Sequence, residues 1–260
     1  MDCCLEIPGY FSSQRQAEHL RRLRREFPFV YIHELTRTAH GRPIHALQIG
    51  SGDRKLLLTA GHHANETITS EVLWRFLFTY CEALRDGGAV CGADALSLYH
   101  GAMVYLVPLV DPDGADLVAG AIAPGSAEYR AAAQLAAQFP DVPFPSGWKA
   151  NLSGVDLNLN YPARWEEARS IKAAKGFGRP APRDFPGGRP LDQPETAALA
   201  AYAACIRPDL MLALHTQGRV IYPGPVETAP EGSEALAKAL AAASGYAVED
   251  VPAESANAGF

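Results

Sequence analysis

Lys55-Leu56-Leu57-Leu58-Thr59-Ala60-Gly61-His62-His63-Ala64-Asn65-Glu66 joins a short apolar run to a stretch with helical spacing, and the fold reads outward from it. Residues 55–61 have the length and apolar content of a buried strand and close on glycine. From residue 67 to residue 84, Ile68, Val72, Phe76 and Tyr80 recur at helical intervals, so the intervening His-Ala-Asn-Glu occupies a strand-to-helix turn. Open α/β sheets bind ligands in the crevice at the carboxyl ends of their strands. An imidazole, His63, and a carboxylate, Glu66, are brought three residues apart to that crevice, where both can meet one small cation.

The neighbouring sequence repeats the alternation. FVYIHEL (29–35) and IHALQIG (44–50) read as early strands, AMVYLVPLV (102–110) as a buried strand or core segment, and DLMLALH (209–215) as a buried strand. Helices are expected at 13–26, 194–206 and 231–243, the last closed by Gly245. Alternating strands and helices predict an α/β fold with helices on both faces of one sheet, a three-layer α/β/α arrangement. Between residues 140 and 194 the pattern gives way to a Pro- and Gly-rich region with many aromatic and charged residues. Long loops of this kind in compact domains carry function, and this one is expected to border the active site.

A chain of 260 residues with 48% hydrophobic and 20% charged residues can bury one full core, so residues 1–260 are read as a single domain. A net charge of −6 and a pI near 5.8 argue against a nucleic-acid or anionic-membrane surface, which needs clustered Lys and Arg. The one basic cluster, Arg21 to Arg25, is broken by Leu23 and fits the outer face of an amphipathic helix. Five cysteines, odd in number and without paired spacing, read as reduced thiols; this includes Cys3-Cys4. With neither an export signal nor a run of ~18 apolar residues, the expected location is cytoplasmic.

A third ligand must come from elsewhere, and His215 ends the run DLMLALH at another strand's carboxyl end. Two His and one Glu with an open fourth position form a known catalytic zinc set. These residue types equally allow two ordinarily hydrogen-bonded histidines. His62 is left out of the set, because neighbours on an extended segment point to opposite sides. His19, His33, His40, His45 and His100 have no partner at metal spacing.

A third motif, Gly154-Val155-Asp156-Leu157-Asn158-Leu159-Asn160-Tyr161, is preceded by Gly147-Trp148-Lys149-Ala150-Asn151. Taken in order with the HxxE pair and the strand-end His, it resembles the M14 metallocarboxypeptidase family over roughly residues 56–221. The resemblance implies a mostly parallel, twisted, zinc carboxypeptidase-like sheet, with one zinc ion held by His63, Glu66 and His215. It makes Asp156 the hydrogen-bond partner of the first ligand histidine and Asn158 a substrate-binding residue. Lys149 stands where the family has an arginine that polarises the scissile carbonyl. Leu159 stands where digestive members carry an arginine that grips the substrate's terminal carboxylate, so simple C-terminal trimming is not expected.

The run FPSGWKANLSGVDLNLNYPARW and the LHTQGRVIY around His215 resemble instead the bacterial branch that cleaves the γ-D-glutamyl-meso-diaminopimelate bond of peptidoglycan peptides. A muropeptide-derived substrate is the implied partner. The family's general-base glutamate follows the region resembling ESANAGF by one strand, which places it beyond Phe260. Without that strand the sheet would lack its last member, and its exposed edge would favour self-association. Glu249, Asp250 and Glu254 are the acids that could substitute. Two rival readings are a zinc amide deacylase of the aspartoacylase and succinylglutamate desuccinylase type, disfavoured by the GVDLNLN and WKAN segments, and a non-catalytic zinc- or peptide-binding module.

Overall fold

A computed structural model of the protein describes residues 9–224 and 229–250; Cys3-Cys4, Glu254 and the segment ESANAGF lie outside them. In chain order the elements are α1 (Ser13–Glu26), β1 (Tyr31–Arg37), β2 (Pro43–Gly50), β3 (Arg54–Thr59) and α2 (Ile68–Asp86). A two-residue ladder of β4 (Ala89–Val90) and β5 (Ala93–Asp94) precedes α3 (Ala95–Gly101), β6 (Ala102–Val107), α4 (Pro112–Val118) and α5 (Ala127–Ala136). Then come α6 (Trp165–Ala174), α7 (Pro194–Ile206), β7 (Leu210–Ala213), β8 (Val220–Ile221), α8 (Ser233–Ser244) and β9 (Ala247–Val248), β8 and β9 forming a second small ladder.

The central sheet has the order β1-β2-β6-β3-β7. β2 is antiparallel to both β1 and β6, while β3 is parallel to β6 and to β7, so β2 alone opposes the common direction. Side chains alternate across a strand, and the alternation sorts the core onto two faces. Leu47 and Ile49 of β2 and Val104 and Leu106 of β6 pack with Leu20 and Leu23 of α1 and Leu73, Trp74 and Leu77 of α2. Ile44, Ala46, Leu57 and Val107 face Leu199 and Ile206 of α7 on the other side. Helices therefore cover both faces of a mostly parallel sheet.

Local chemistry sets the helix ends. Ser12 caps α1 by accepting from Arg15 N, and Pro194 occupies the first turn of α7, where a missing N–H removes no intrahelical bond. Leu23, which breaks the basic cluster, is fully buried, while Arg22 reaches Glu26 and Glu82 at 2.8 Å. The buried face of α2 is carried by Leu73, Trp74, Leu77, Phe78 and Tyr80. The stripe that signalled the helix lies partly outside it, Val72 being 50% exposed. β7 also differs from expectation. Its apolar run predicts burial, yet it is the outermost strand of the sheet among the described residues, and Met211 is 38% exposed. The 140–194 region is not structureless, because it contains the helical turn Leu157–Leu159 and α6.

Arg42 ties the start of β2 to the helices beyond the sheet. It meets Asp113 at 2.8 Å, Asp116 at 2.9 Å and Glu128 at 3.0 Å. No helix among the described residues is long and apolar enough to cross a membrane.

Candidate metal centre

The centre forms where two adjacent parallel strands end together. Thr59 of β3 is paired with Ala213 of β7, and Leu214 N donates to Thr59 O at 2.9 Å. Past Thr59 the chain turns at Gly61, whose φ of +66° suits glycine and whose added Cβ would lie 2.8 Å from Leu109 Cδ1 and Ser70 Oγ. Gly61 N donates to Thr69 Oγ1, and Thr69 Oγ1 donates to Glu66 O at 2.7 Å, stitching the turn to the start of α2. His63 and Glu66 are thereby fixed on one side, and His215 enters two residues after β7.

His63 Nδ1 lies 3.0 Å from Glu66 Oε1 and 3.3 Å from His215 Nδ1, and His215 Nδ1 lies 3.2 Å from Glu66 Oε2. One donor atom from each of the three falls within 4.8 Å of the others. With neither Nδ1 protonated, the lone pairs of two imidazoles and a carboxylate converge at this distance and repel one another unless positive charge sits among them. The chemistry of the donor set thus fits a divalent cation, and His-His-carboxylate ligation suits zinc.

The opposite nitrogen, His63 Nε2, lies 3.1 Å from Asp156 Oδ1. With the proton on Nε2 that contact is a hydrogen bond that orients the ring and leaves Nδ1 free to ligate. Asp156 also accepts from Asn158 N at 3.2 Å and Asp184 N at 3.1 Å. Its own placement comes from Gly154 (φ +73°) and from Asn151, whose Oδ1 accepts from Ser153 N and Val155 N at 3.1 Å.

Lys149 reaches in from the other side, its Nζ donating to Glu66 Oε1 at 3.0 Å. Its carbonyl accepts from Ala64 N at 3.1 Å, so the WKAN segment and the HxxE turn are joined through backbone as well as side chain. Burial pushes the Glu66 carboxyl up, but His215, His63 and Lys149 outweigh it and hold the group well below the usual carboxylate range. Burial likewise opposes ionisation of Asp156, yet His63 and the Asp184 N–H bring it down to about 2. His63 is pushed down by burial and raised to about 9 by Asp156 and Glu66. The pocket therefore draws positive charge strongly.

His63, Glu66, His215, Asp156, Lys149 and Asn158 come together here, whereas the two substitute acids among the described residues do not join this cluster. No hydrogen bond or ion pair connects Glu249 or Asp250 to it, and Glu249 N instead donates to Ile221 O at 3.2 Å. Asn158 is half-buried, with its side-chain Oδ1 enclosed and unpartnered among the described residues. Leu159 is 3% exposed.

Sequence reasoning missed one neighbour and the burial of another. Thr216 N donates to Glu66 Oε2 at 3.0 Å, a backbone contact that no residue type signals. His62, outside the donor set as expected, is buried against the centre. Its ring centroid lies 5.6 Å from that of His215, and its Nε2 lies 3.4 Å from Tyr161 Oη. Among the described residues no second group of three His, Cys, Asp or Glu residues gathers in this way.

A mostly parallel sheet with a His-Glu-His cluster at the paired ends of β3 and β7 defines a metallopeptidase-type architecture. The chain belongs to the zinc carboxypeptidase (peptidase M14) family, whose model matches residues 17–255. It is 34% identical over 261 residues to the uncharacterised protein YqgT of Bacillus subtilis (strain 168), spanning 100% of this chain and 68% of that protein. It is 35% identical over 238 residues to gamma-D-glutamyl-L-diamino acid endopeptidase 1 of Lysinibacillus sphaericus, spanning 92% of this chain and 57% of that protein. The fold superposes on the crystal structure of thrombin-activatable fibrinolysis inhibitor with a TM-score of 0.67 at 16% identity, covering 93% of this chain and 59% of that one. The likeness at this identity is one of fold.

Proposed function

We propose that the protein is a zinc-dependent peptidase of peptidoglycan-derived peptides, cleaving the γ-D-glutamyl-meso-diaminopimelate bond. The observation that carries the reading is the convergence of His63, Glu66 and His215 within 4.8 Å, with Asp156 behind His63 and Lys149 beside Glu66. Membership in the zinc carboxypeptidase family and the 35% identity to an endopeptidase named for γ-D-glutamyl-diamino acid bonds support the choice of reaction and substrate.

His63, Glu66 and His215 would hold one zinc ion. When bound, zinc polarises a carbonyl and lowers the pKa of a coordinated water. Asp156 fixes the His63 tautomer and ring direction from its buried position. Lys149 brings an ammonium to the same pocket, where it stabilises negative charge growing on the scissile carbonyl oxygen. It does so as a point charge rather than a planar fork. Asn158 offers a side-chain amide beside Asp156 for hydrogen bonding to substrate. We place the general base outside the described residues, since among these no carboxylate other than Glu66 and Asp156 makes a hydrogen bond or ion pair with the three ligand side chains.

The decisive experiment is release of diaminopimelate-containing product from L-Ala-γ-D-Glu-meso-diaminopimelate by zinc-loaded protein, with His63→Ala alongside. Product formation that the substitution abolishes supports the reading. Stoichiometric zinc binding without cleavage of this tripeptide by the full-length protein would overturn the substrate assignment.

A further inference from the structure

We infer that Arg183 grips a free carboxylate of the substrate beside the metal centre; the inference rests on the peptidase reading above and names a determinant of its specificity. The position from which the family's digestive members hold a carboxylate is occupied by Leu159, an apolar side chain 3% exposed on the turn Leu157–Leu159. A peptide with a γ-linked glutamyl residue nevertheless carries a free α-carboxylate on the acyl side of the scissile bond. The diamino acid carries two more, one of which flanks the bond on its amine side. A cation must come from a different segment.

The segment around residue 183 is built into the wall of the site. Pro182 O accepts from Lys149 N at 2.8 Å and from Ala150 N at 2.9 Å. Two residues on, Asp184 N donates to Asp156 Oδ2 at 3.1 Å, and Phe185 O accepts from Asp156 N at 2.8 Å. Arg183 thus sits between the backbone that carries Lys149 and the carboxylate that orients His63. Asp184 adopts φ +66°, a conformation uncommon for a residue with a side chain although Asp tolerates it better than most. Strain of this kind persists where the surroundings over-determine it, and it concentrates at functional sites. Here it turns the Asp184 amide towards Asp156 while its carboxylate takes Lys172 on one oxygen and Arg183 Nε on the other.

That arrangement leaves one end of Arg183 available. Nε is held by Asp184 Oδ2 at 2.5 Å, the side chain is 40% exposed, and its two terminal nitrogens have no partner among the described residues. Paired terminal N–H groups match a carboxylate in bidentate fashion. The nearby lysines do not offer this. Lys149 is engaged by Glu66, and Lys172, with a side chain 11% exposed, by Asp184. Two cations on one carboxylate also leave the Arg183–Asp184–Lys172 group with a surplus positive charge on the segment whose backbone holds Asp156.

The test is a cycle between protein and substrate, run by equilibrium binding and by steady-state kinetics on zinc-loaded protein. The peptides are L-Ala-γ-D-Glu-meso-diaminopimelate and two analogues, one amidated at the glutamyl α-carboxyl and one at the α-carboxyl of diaminopimelate. Wild type should bind the acid about 10- to 100-fold more tightly than one of the amides, the worth of a hydrogen-bonded charge. Which amide is affected identifies the carboxylate. Arg183→Ala should abolish that ratio, Arg183→Lys restore part of it, and Arg179→Ala, on the same loop, leave it within about twofold. An acid-to-amide ratio unchanged in Arg183→Ala overturns the assignment, as does a wild type without preference or without binding to any of the three. Binding with the expected ratio but no hydrolysis by the full-length protein would sink the peptidase reading and leave the carboxylate site standing.

Discussion

Replacing Asp156 by asparagine changes one atom and bears on the whole centre. In the structure Oδ1 faces both His63 Nε2 at 3.1 Å and the Asn158 N–H at 3.2 Å, while Oδ2 faces the Asp184 N–H at 3.1 Å. An amide can present an oxygen to only one side, so in either orientation its NH2 meets at least one backbone donor. The charge that steadies the His63 tautomer is lost as well. Outer partners of metal-binding histidines are worth about 10- to 100-fold in metal affinity, or about 1.4–2.8 kcal/mol. The same loss appears in stability. At a free zinc concentration of ~100 times the wild-type Kd, zinc stabilises the native state by about 2.7 kcal/mol, and this increment should fall to between about 0.4 and 1.4 kcal/mol in Asp156→Asn. A competition titration against a chromophoric chelator gives the affinity, and urea unfolding with and without zinc gives the increment. A variant that binds zinc within twofold of wild type would refute the role assigned to Asp156.

Two further predictions concern buried charge away from the metal. Glu195 is 1% exposed, its Oε1 accepts from Asn151 Nδ2 at 3.4 Å, and burial pushes its carboxyl up to about 7. A group that holds its proton more tightly when folded contributes stability below its unfolded pKa near 4.5 and loses it as pH rises through about 7. Glu195→Gln should therefore flatten a decline of up to about 3 kcal/mol between pH 4.5 and pH 7, and unfolding curves of equal pH slope in the two proteins would count against it. Arg42→Ala strands Asp113 and Asp116, whose side chains are 2% and 7% exposed, and should cost about 3–5 kcal/mol in urea denaturation. A loss below about 1 kcal/mol would mean that Arg42 is not what offsets the burial of Asp113 and Asp116.

How much of this was legible beforehand depends on what kind of interaction each feature needs. α1 and α7 have the limits their patterns predict, because Ser12 and Pro194 are local signals read by the residues beside them. Strand positions were legible to within a few residues, since runs such as 44–50 and 102–110 are too apolar to lie outside the core. The standing of β7 was not, because an apolar run states a preference for burial and not which neighbours supply it. α6 escaped notice within a Pro- and Gly-rich stretch, although Trp165 and Ala168 bury one turn apart. His63, Glu66 and His215 could be paired from their places at strand ends, but the Thr216 amide and the setting of Arg183 depend on backbone hydrogen bonds between distant segments.

The cluster's two halves lie far apart along the chain, since His215 and Glu66 are separated by 149 residues. During synthesis the protein proceeds from its first strand towards its last, so the HxxE turn, the Asp156 segment and the Lys149 loop all emerge before His215 does. Until β7 docks beside β3, the carboxylates of Glu66 and Asp156 face one imidazole and one ammonium instead of a completed coordination set. Lys149, 3.0 Å from Glu66 Oε1, is placed to act over that interval as an internal counterion. At this carboxylate the chain thus carries its own cation, whether or not a metal has yet arrived.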